Sequence, residues 1–384
     1  MVDISSHETS QPLAVGIDAR AVSDKPAGKG RYVLGLLDGW REVAPADRLI
    51  IYSQSSFARP RDWPSNWQLV ATPSSIKGSL WLDRQARAHG LAVLLAPSNY
   101  SLGVVARLPV VTVVHDIAVF VVPEARPSLR VRLAERLLLA RCLTRSSRIL
   151  AVSDFTRQEL VKYFHINPAK IGVAANAVDA SFHPATLADK KRHDELRNRY
   201  QLPREFLLFV STLEPRKNLV RLLEAFASLD ENLARQYPLI LVGRLGWSAD
   251  EILAHLAPLA ARGLVRRLDY VATDDLPLLY QVACGVVFPS LYEGFGLPAL
   301  EALASGTPLL SASTSALPEV VGKAALLVDP YSVASIRDGL VRLLTDKQMR
   351  VDLGRYGPDQ AAQYTWRETA TAARVALLKV LQRP

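Results

Sequence analysis

Cysteine is scarce in this chain. Cys142 and Cys284 are the only two among 384 residues, far apart and without metal-ligand or redox spacing. That argues against a disulfide framework or a structural metal, and both are expected as reduced core thiols in a reducing compartment. Long apolar runs are lacking as well. The longest, LPVVTVVHDIAVFVVP, is interrupted by His115 and Asp116 and is too short to span a bilayer. The opening MVDISSHETSQP lacks the cationic, apolar and small-residue progression of a secretory signal, so a soluble, cytoplasmic protein is expected. No Asp-x-Asp pair occurs, so a ligand held through a divalent metal is not expected, nor any cofactor. Aromatics interleaved with cations are also wanting, which sets nucleic acid aside as a partner.

What is present is a globular composition, 49% hydrophobic and 22% charged. The length exceeds one ordinary core and suggests two domains of about 180 residues each. The formal charge of +9 is uneven: residues 1–183 hold 22 Lys and Arg against 15 Asp and Glu, the remainder 24 against 22. By charge alone a basic first half suits an anionic partner: nucleic acid, a phosphate-bearing substrate or an anionic membrane face. A solvated basic surface that only keeps the chain soluble is equally compatible.

Short apolar runs alternate with helical patterns, twice over. Strands are expected at 13–18, 48–52, 91–96, 109–114 and 148–152, then again at 206–211, 239–243, 286–290, 308–313 and 325–329. Runs that are apolar throughout imply parallel sheets covered on both faces, and right-handed crossovers make each half doubly wound α/β. The polar segment 183–206 reads as the connection. An N-terminal domain over 1–190 and a second over 200–365 are expected, with a C-terminal helix at about 366–384 packing back on the first. In such sheets ligands bind at the carboxyl ends of the strands, and the cleft between two domains is the natural site.

At the end of VVFPS lies YEGFGLPALEALASGTP, with Glu293 and Glu301 eight positions apart. Gly294 and Gly296 allow close backbone approach to a ligand, and a helix opening near Pro298 favours anionic or hydroxyl-rich groups. Glu301 is expected in its first turn, beside the positive helix end. A carboxylate accepts hydrogen bonds from vicinal hydroxyls, which makes a ribose or hexose the obvious partner. The plain alternative is two solvent-facing glutamates around an edge turn. Arg216 and Lys217 open a helix, where cations are unfavourable unless an anion sits there. His115 and Asp116 follow a strand at its carboxyl edge, although a satisfied core histidine would look the same.

The segment closely resembles the E-x7-E signature of retaining glycosyltransferases of family 4. Their fold, GT-B, sets two doubly wound Rossmann-like domains face to face across a deep cleft. The resemblance covers nearly the whole chain: VGIDARAV and AGKGRYVLGLL, VTVVHDIAVFVVPE, ILAVSDFTRQEL, NAVDASFHP, LEPRKNLVRLLEAF, TSALPEVVGKAALLVDP and YTWRETA each resemble a family segment. It implies that Glu293 binds donor-sugar hydroxyls and Glu301 the donor ribose. Gly294, Phe295, Gly296 and Leu297 form the turn whose amides meet sugar and diphosphate, and Arg216 and Lys217 neutralise the diphosphate. His115 lies near the anomeric carbon, with Asp116 beside it. Gly28 and Gly30, with Arg31, form a loop facing diphosphate and acceptor, and the Val271 backbone meets the base. The family is usually metal-independent.

The chain departs from many relatives in two places. Ser211-Thr212 stands where Gly-Arg is common, and LDYV (268–271) replaces Leu-Gly-Tyr-Val. The glycine loop with EPRKN most resembles bacterial enzymes of surface polysaccharide synthesis, often mannosyltransferases. Transfer of mannose from GDP-mannose to a glycan or a polyprenyl-diphosphate-linked acceptor is therefore expected, with other nucleotide sugars open. A nucleotide-sugar epimerase of the same fold and a non-catalytic sugar-binding protein are the alternatives. On the helical stretch 126–148, Arg130, Arg141, Arg145 and Arg148 fall within about 60° of one another, with Leu129, Leu133, Leu137 and Ala140 on a separate arc. That face suits peripheral contact with the inner membrane surface, or else a core-facing helix with a solvated basic side.

Overall fold

The computed structural model describes residues 11–23, 28–54, 59–73, 78–122, 129–269 and 271–382. Its strands form two sheets, and every strand pair is parallel. The first contains β1 (Ala14–Asp18), β2 (Arg48–Ser53), β3 (Gln68–Ala71), β4 (Val93–Ala96), β5 (Val110–Val114), β6 (Arg148–Ala151) and β7 (Ile171–Val173), in the order β3-β2-β1-β4-β5-β6-β7. The second contains β8 (Leu207–Val210), β9 (Leu239–Val242), β10 (Val265–Leu268), β11 (Gly285–Phe288), β12 (Leu309–Ala312) and β13 (Leu326–Val328), in the order β10-β9-β8-β11-β12-β13. The central strands β4, β5, β9, β11 and β12 are buried at every position, as helices on both faces require.

Both sheets reverse their strand order at one pair, β1 beside β4 and β8 beside β11. At such a switch point the crossovers leave in opposite directions and open a crevice beyond the strand ends. The loop after β8 carries Arg216 and Lys217, and the loop after β11 carries Glu293. Topology alone therefore makes these two loops neighbours.

The chain divides into two compact units. One takes in the described residues of 1–117, 128–176 and 365–384, the other those of 118–127 and 177–364. In the first unit the Trp366–Leu381 helix lies along the Gly28–Val43 helix. Two glycines one turn apart permit this. A Cβ built on Gly35 would stand 2.0 Å from the Trp366 ring, and one on Gly39 would stand 2.0 Å from the Trp366 carbonyl oxygen. Further along, the Arg374 guanidinium meets the Asp47 carboxylate at 2.8 Å, with both side chains more than nine-tenths buried. Asp47 also accepts from the Trp40 indole and the Leu13 amide.

Three sequence expectations change. The segment 183–206 is not a bare connection: it holds the Lys190–Tyr200 helix, which packs on the Leu276–Val282 helix of the second unit. β3, β7 and β10 were not expected; all three are sheet edges with partly exposed residues, QLVA, IGV and VRRL. The basic helix is Leu129–Arg145, and Arg148 instead opens β6. Its buried side is Leu139, Cys142 and Leu143, whereas Leu133 and Leu137 face outward at 51% and 66% exposure. The Leu129 side chain lies outside the described residues. The leucine arc is thus part of the exposed face rather than the core side.

Candidate active site

In the second unit, the switch-point loops build a charge cluster. After β8 the chain enters a tight 3-10 turn, Pro215–Lys217, and Asn218 then adopts a left-handed conformation (φ 63°) before the Leu219–Ala227 helix. Asn218 is buried, and its amide donates to the carbonyls of Pro289 and Pro330 at 2.9 and 2.7 Å. This ties the loop after β8 to the loop after β11. Leu291 N–H adds a bond to the Arg216 carbonyl at 3.0 Å.

The tie brings Glu293 onto both cations. Lys217 Nζ donates to Glu293 Oε1 at 2.6 Å, and Arg216 Nη1 donates to Glu293 Oε2 at 3.2 Å. Ser290 Oγ donates to Oε1 at 2.7 Å. Arg216 also reaches the Tyr292 carbonyl through Nη1 at 2.9 Å, and Glu214 Oε1 through Nε and Nη2 at 3.2 and 3.0 Å. Burial pushes the Glu293 carboxyl up, but Lys217 and Arg216 outweigh it and leave the group below its ordinary value. Burial pulls the Lys217 ammonium down, opposed by Glu293. Two acids and two cations make a locally neutral cluster.

This corrects one sequence argument. Arg216 and Lys217 were expected to need a ligand anion at the helix start, yet Glu214 and Glu293 already supply negative charge there. With Lys217 and Ser290 both on Oε1, ligand hydroxyls are left chiefly the Oε2 side, since each carboxylate oxygen takes about two donors.

Gly296 has φ 105° and caps the Leu297–Ala304 helix, and a Cβ there would stand 2.6 Å from Leu317. Leu297 is its first residue, and buried Phe295 packs edge-on against Tyr364 with centroids 5.3 Å apart. Glu301 lies in the second turn, not the first, and is 1% exposed. Its Oε2 accepts from Tyr280 Oη at 2.8 Å. With Glu293 at 7%, neither acid faces solvent, so the surface-glutamate alternative fails. Val271 follows β10 and is half-buried; adjacent Tyr270 lies outside the described residues.

In the first unit, His115 follows β5 directly. Its Nε2 lies 2.6 Å from the Pro97 carbonyl, at the end of β4, which fixes Nε2 as the protonated nitrogen of the neutral ring. Tyr32 packs edge-on against it at 5.0 Å. Burial, reinforced by the Lys29 charge, pushes the imidazole down to about 4. Nδ1 is then an acceptor. Asp116 follows, half-buried. Gly28 and Gly30 are not in a loop: both sit in the first turn of the Gly28–Val43 helix, and the loop residues 24–27 lie outside the described residues. A Cβ on Gly28 would meet nothing within 4 Å.

Sequence reading singled out Arg216, Lys217 and Glu293, and the structure joins them directly. It missed Glu214, Ser290, Tyr280 and Tyr32. Glu214 was legible as the first letter of EPRKN, but nothing in a linear pattern shows that its side chain folds back two residues. No group of three or more His, Cys, Asp or Glu able to hold a metal occurs among the described residues. No helix among them is long and apolar enough to cross a membrane.

Two doubly wound sheets, with an acid–cation cluster at the switch point of the second, are the architecture of a GT-B glycosyltransferase. Comparison with known proteins agrees. The domain described as Glycosyl transferases group 1 matches residues 192–360, and Glycosyltransferase Family 4 matches residues 40–182. O-antigen chain mannosyltransferase B from Escherichia coli is 38% identical over 273 residues, 71% of this chain and 70% of that protein. Among solved structures, sucrose-phosphate synthase from Thermosynechococcus elongatus has a TM-score of 0.76 at 16% identity, covering 96% of this chain and 99% of that one. Anabaena Alr3699/HepE in complex with UDP and glucose has a TM-score of 0.73 at 19% identity, with 96% and 99% covered. The structural likenesses show the fold; the sequence matches show the family. This chain belongs to glycosyltransferase family 4, a family of retaining hexosyltransferases. That sets aside the epimerase and the non-catalytic sugar binder.

Proposed function

We propose that the protein transfers a mannosyl residue, with retention, from GDP-mannose to a glycan acceptor in surface polysaccharide synthesis. The observation that carries the site is Glu293 held between Lys217 and Arg216 at the end of β11. The mannosyl assignment draws support from the O-antigen mannosyltransferase relative.

In this reading Arg216 and Lys217 bear the donor diphosphate, Glu293 takes a sugar hydroxyl through Oε2, and Glu301 takes the ribose. The bond from the anomeric carbon to the diphosphate breaks as the acceptor oxygen bonds to that carbon on the same face. The acceptor proton passes to the departing diphosphate, whose growing charge fixed cations stabilise. The backbone of 294–297 and Val271 lines the diphosphate and base. In the first unit, His115 Nδ1 serves as a hydrogen-bond acceptor for a sugar hydroxyl, and Asp116, Gly28 and Gly30 are assigned to donor binding. Incubation with GDP-mannose and a mannan-type oligosaccharide acceptor, followed by NMR of the product, tests this. An α-mannosyl linkage supports it, and turnover with UDP- or dTDP-sugars but not GDP-mannose overturns it.

The acceptor is carried on lipid at the cytoplasmic membrane face, and the Leu129–Arg145 helix meets that face. In support, its outer side presents Leu133, Leu137 and Leu138 between Arg130, Arg141 and Arg145 along the helix. A groove of ≈ 510 Å³ beside it is lined by Val104, Leu137, Ala140, Arg141, Thr144 and Arg145. Leucines that enter the headgroup boundary among arginines that meet lipid phosphate suit an anionic bilayer. Co-sedimentation with vesicles containing anionic lipid, lost on Leu133→Asn with Leu137→Asn, is expected. Equal binding to neutral vesicles, or none to either, contradicts it.

A further inference from the structure

We infer that Glu214 is a positioning residue for the donor diphosphate, acting through Arg216; this rests on the cluster being the diphosphate site proposed above. A carboxylate beside an anion site is electrostatically costly. Glu214 nevertheless stands there, with its side chain only 15% exposed.

The geometry shows what it does. Glu214 is extended (φ −139°, ψ 156°) and Pro215 starts the tight turn, so the Glu214 side chain folds back onto residue 216. Its Oε1 receives both Nε–H and an Nη2–H of Arg216, at 3.2 and 3.0 Å. On the opposite edge, Nη1 is held by the Tyr292 carbonyl and Glu293 Oε2, at 2.9 and 3.2 Å. The guanidinium plane is thus gripped from two sides by two loops. An arginine side chain has many rotamers to lose, and a fork fixed in advance gives up less entropy on meeting phosphate. Glu293 alone grips one nitrogen. Glu214 fixes the plane.

The sign of the effect on anion binding separates orientation from simple charge. If Glu214 acted only as a charge, its removal would tighten anion binding. As a positioning residue, its removal loosens it. Calorimetric titration of GDP and UDP into the folded wild type and three variants reads this directly. Glu214→Ala is expected to bind about tenfold more weakly. Glu214→Gln keeps an acceptor oxygen for the same two N–H groups and is expected within about threefold of wild type. Glu214→Asp keeps the charge, loses reach by one methylene and is expected to weaken binding several-fold, which keeps the test open should the alanine variant not fold. In an Arg216→Lys background, Glu214→Ala is expected to have no further effect.

Tighter or unchanged binding by Glu214→Ala overturns the inference, as does equal weakening by Glu214→Gln and Glu214→Ala. A full additional loss in the Arg216→Lys background overturns it too. Wild type that binds neither GDP nor UDP overturns the site reading itself, a distinct outcome.

Discussion

Tyr32 meets His115 edge to face with centroids 5.0 Å apart, and the far side of Tyr32 meets Trp366 at 5.8 Å. His115 is therefore seated through one tyrosine on the C-terminal helix. Tyr32 is anchored by its hydroxyl, which donates to the Ala174 carbonyl at 3.3 Å.

The first prediction concerns pH. His115 is pushed down to about 4 in the folded protein, below the ordinary value near 6.5 that the unfolded chain retains. Between these values the unfolded state binds the extra proton, so stability falls as pH drops from 6.5 toward 4. Thermal melts of wild type and His115→Phe across this range check it. The wild-type Tm is expected to fall more steeply than the variant's in that window.

Glycine at 35 and 39 is required by Trp366, whereas Gly28 has open space. Gly35→Ala and Gly39→Ala are each expected to cost roughly 1–3 kcal/mol of stability through overpacking. Gly28→Ala is expected to leave stability within about 0.5 kcal/mol, as for a substitution without steric cost. Denaturant unfolding of the three variants makes the comparison.

The buried Arg374–Asp47 pair also clamps the C-terminal helix. Arg374→Ala strands Asp47 and is expected to cost about 3–5 kcal/mol. Arg374→Met with Asp47→Leu is expected to cost less than the sum of the single changes, read from a double-mutant cycle. Loss of the Asp47 bonds to Trp40 and Leu13 keeps that variant from recovering fully.

Lys217 and Glu293 give a second cycle with a functional readout. Lys217→Met leaves Glu293 with Arg216, so the fold is retained while donor turnover falls by at least about a hundredfold, as for loss of a group stabilising transition-state charge. Glu293→Gln is expected to lose turnover comparably. The double variant is expected to be no worse than either, because residues acting as a unit are not additive. Steady-state kinetics with CD to check folding decides this.

The sequence made the central strands legible because they are apolar at every position: VVTVV, LILV and GVVF are buried throughout. The edge strands QLVA and VRRL were not, since one side of an edge meets solvent and its residues need not be apolar. The Leu129–Arg145 helix was misread for a related reason. Periodicity locates an arc of leucines, but only tertiary packing decides which arc faces inward, and there it is Leu139, Cys142 and Leu143. Among the site residues, the family resemblance picked out Lys217 and Glu293, 76 residues apart, and both belong to loops at one switch point. It could not show that they neutralise each other, nor that Pro97 would fix the His115 tautomer from 18 residues away.

The measurement that bears most directly on the central claim is the affinity of the protein for GDP and for guanosine, with UDP and uridine in parallel, in wild type and Lys217→Met. Diphosphate bound by the Arg216–Lys217–Glu293 cluster requires the wild type to prefer one nucleoside diphosphate over its nucleoside by at least about a hundredfold, and Lys217→Met to lose most of that preference. Equal affinity for nucleoside and diphosphate, or an undiminished preference in Lys217→Met, would contradict it.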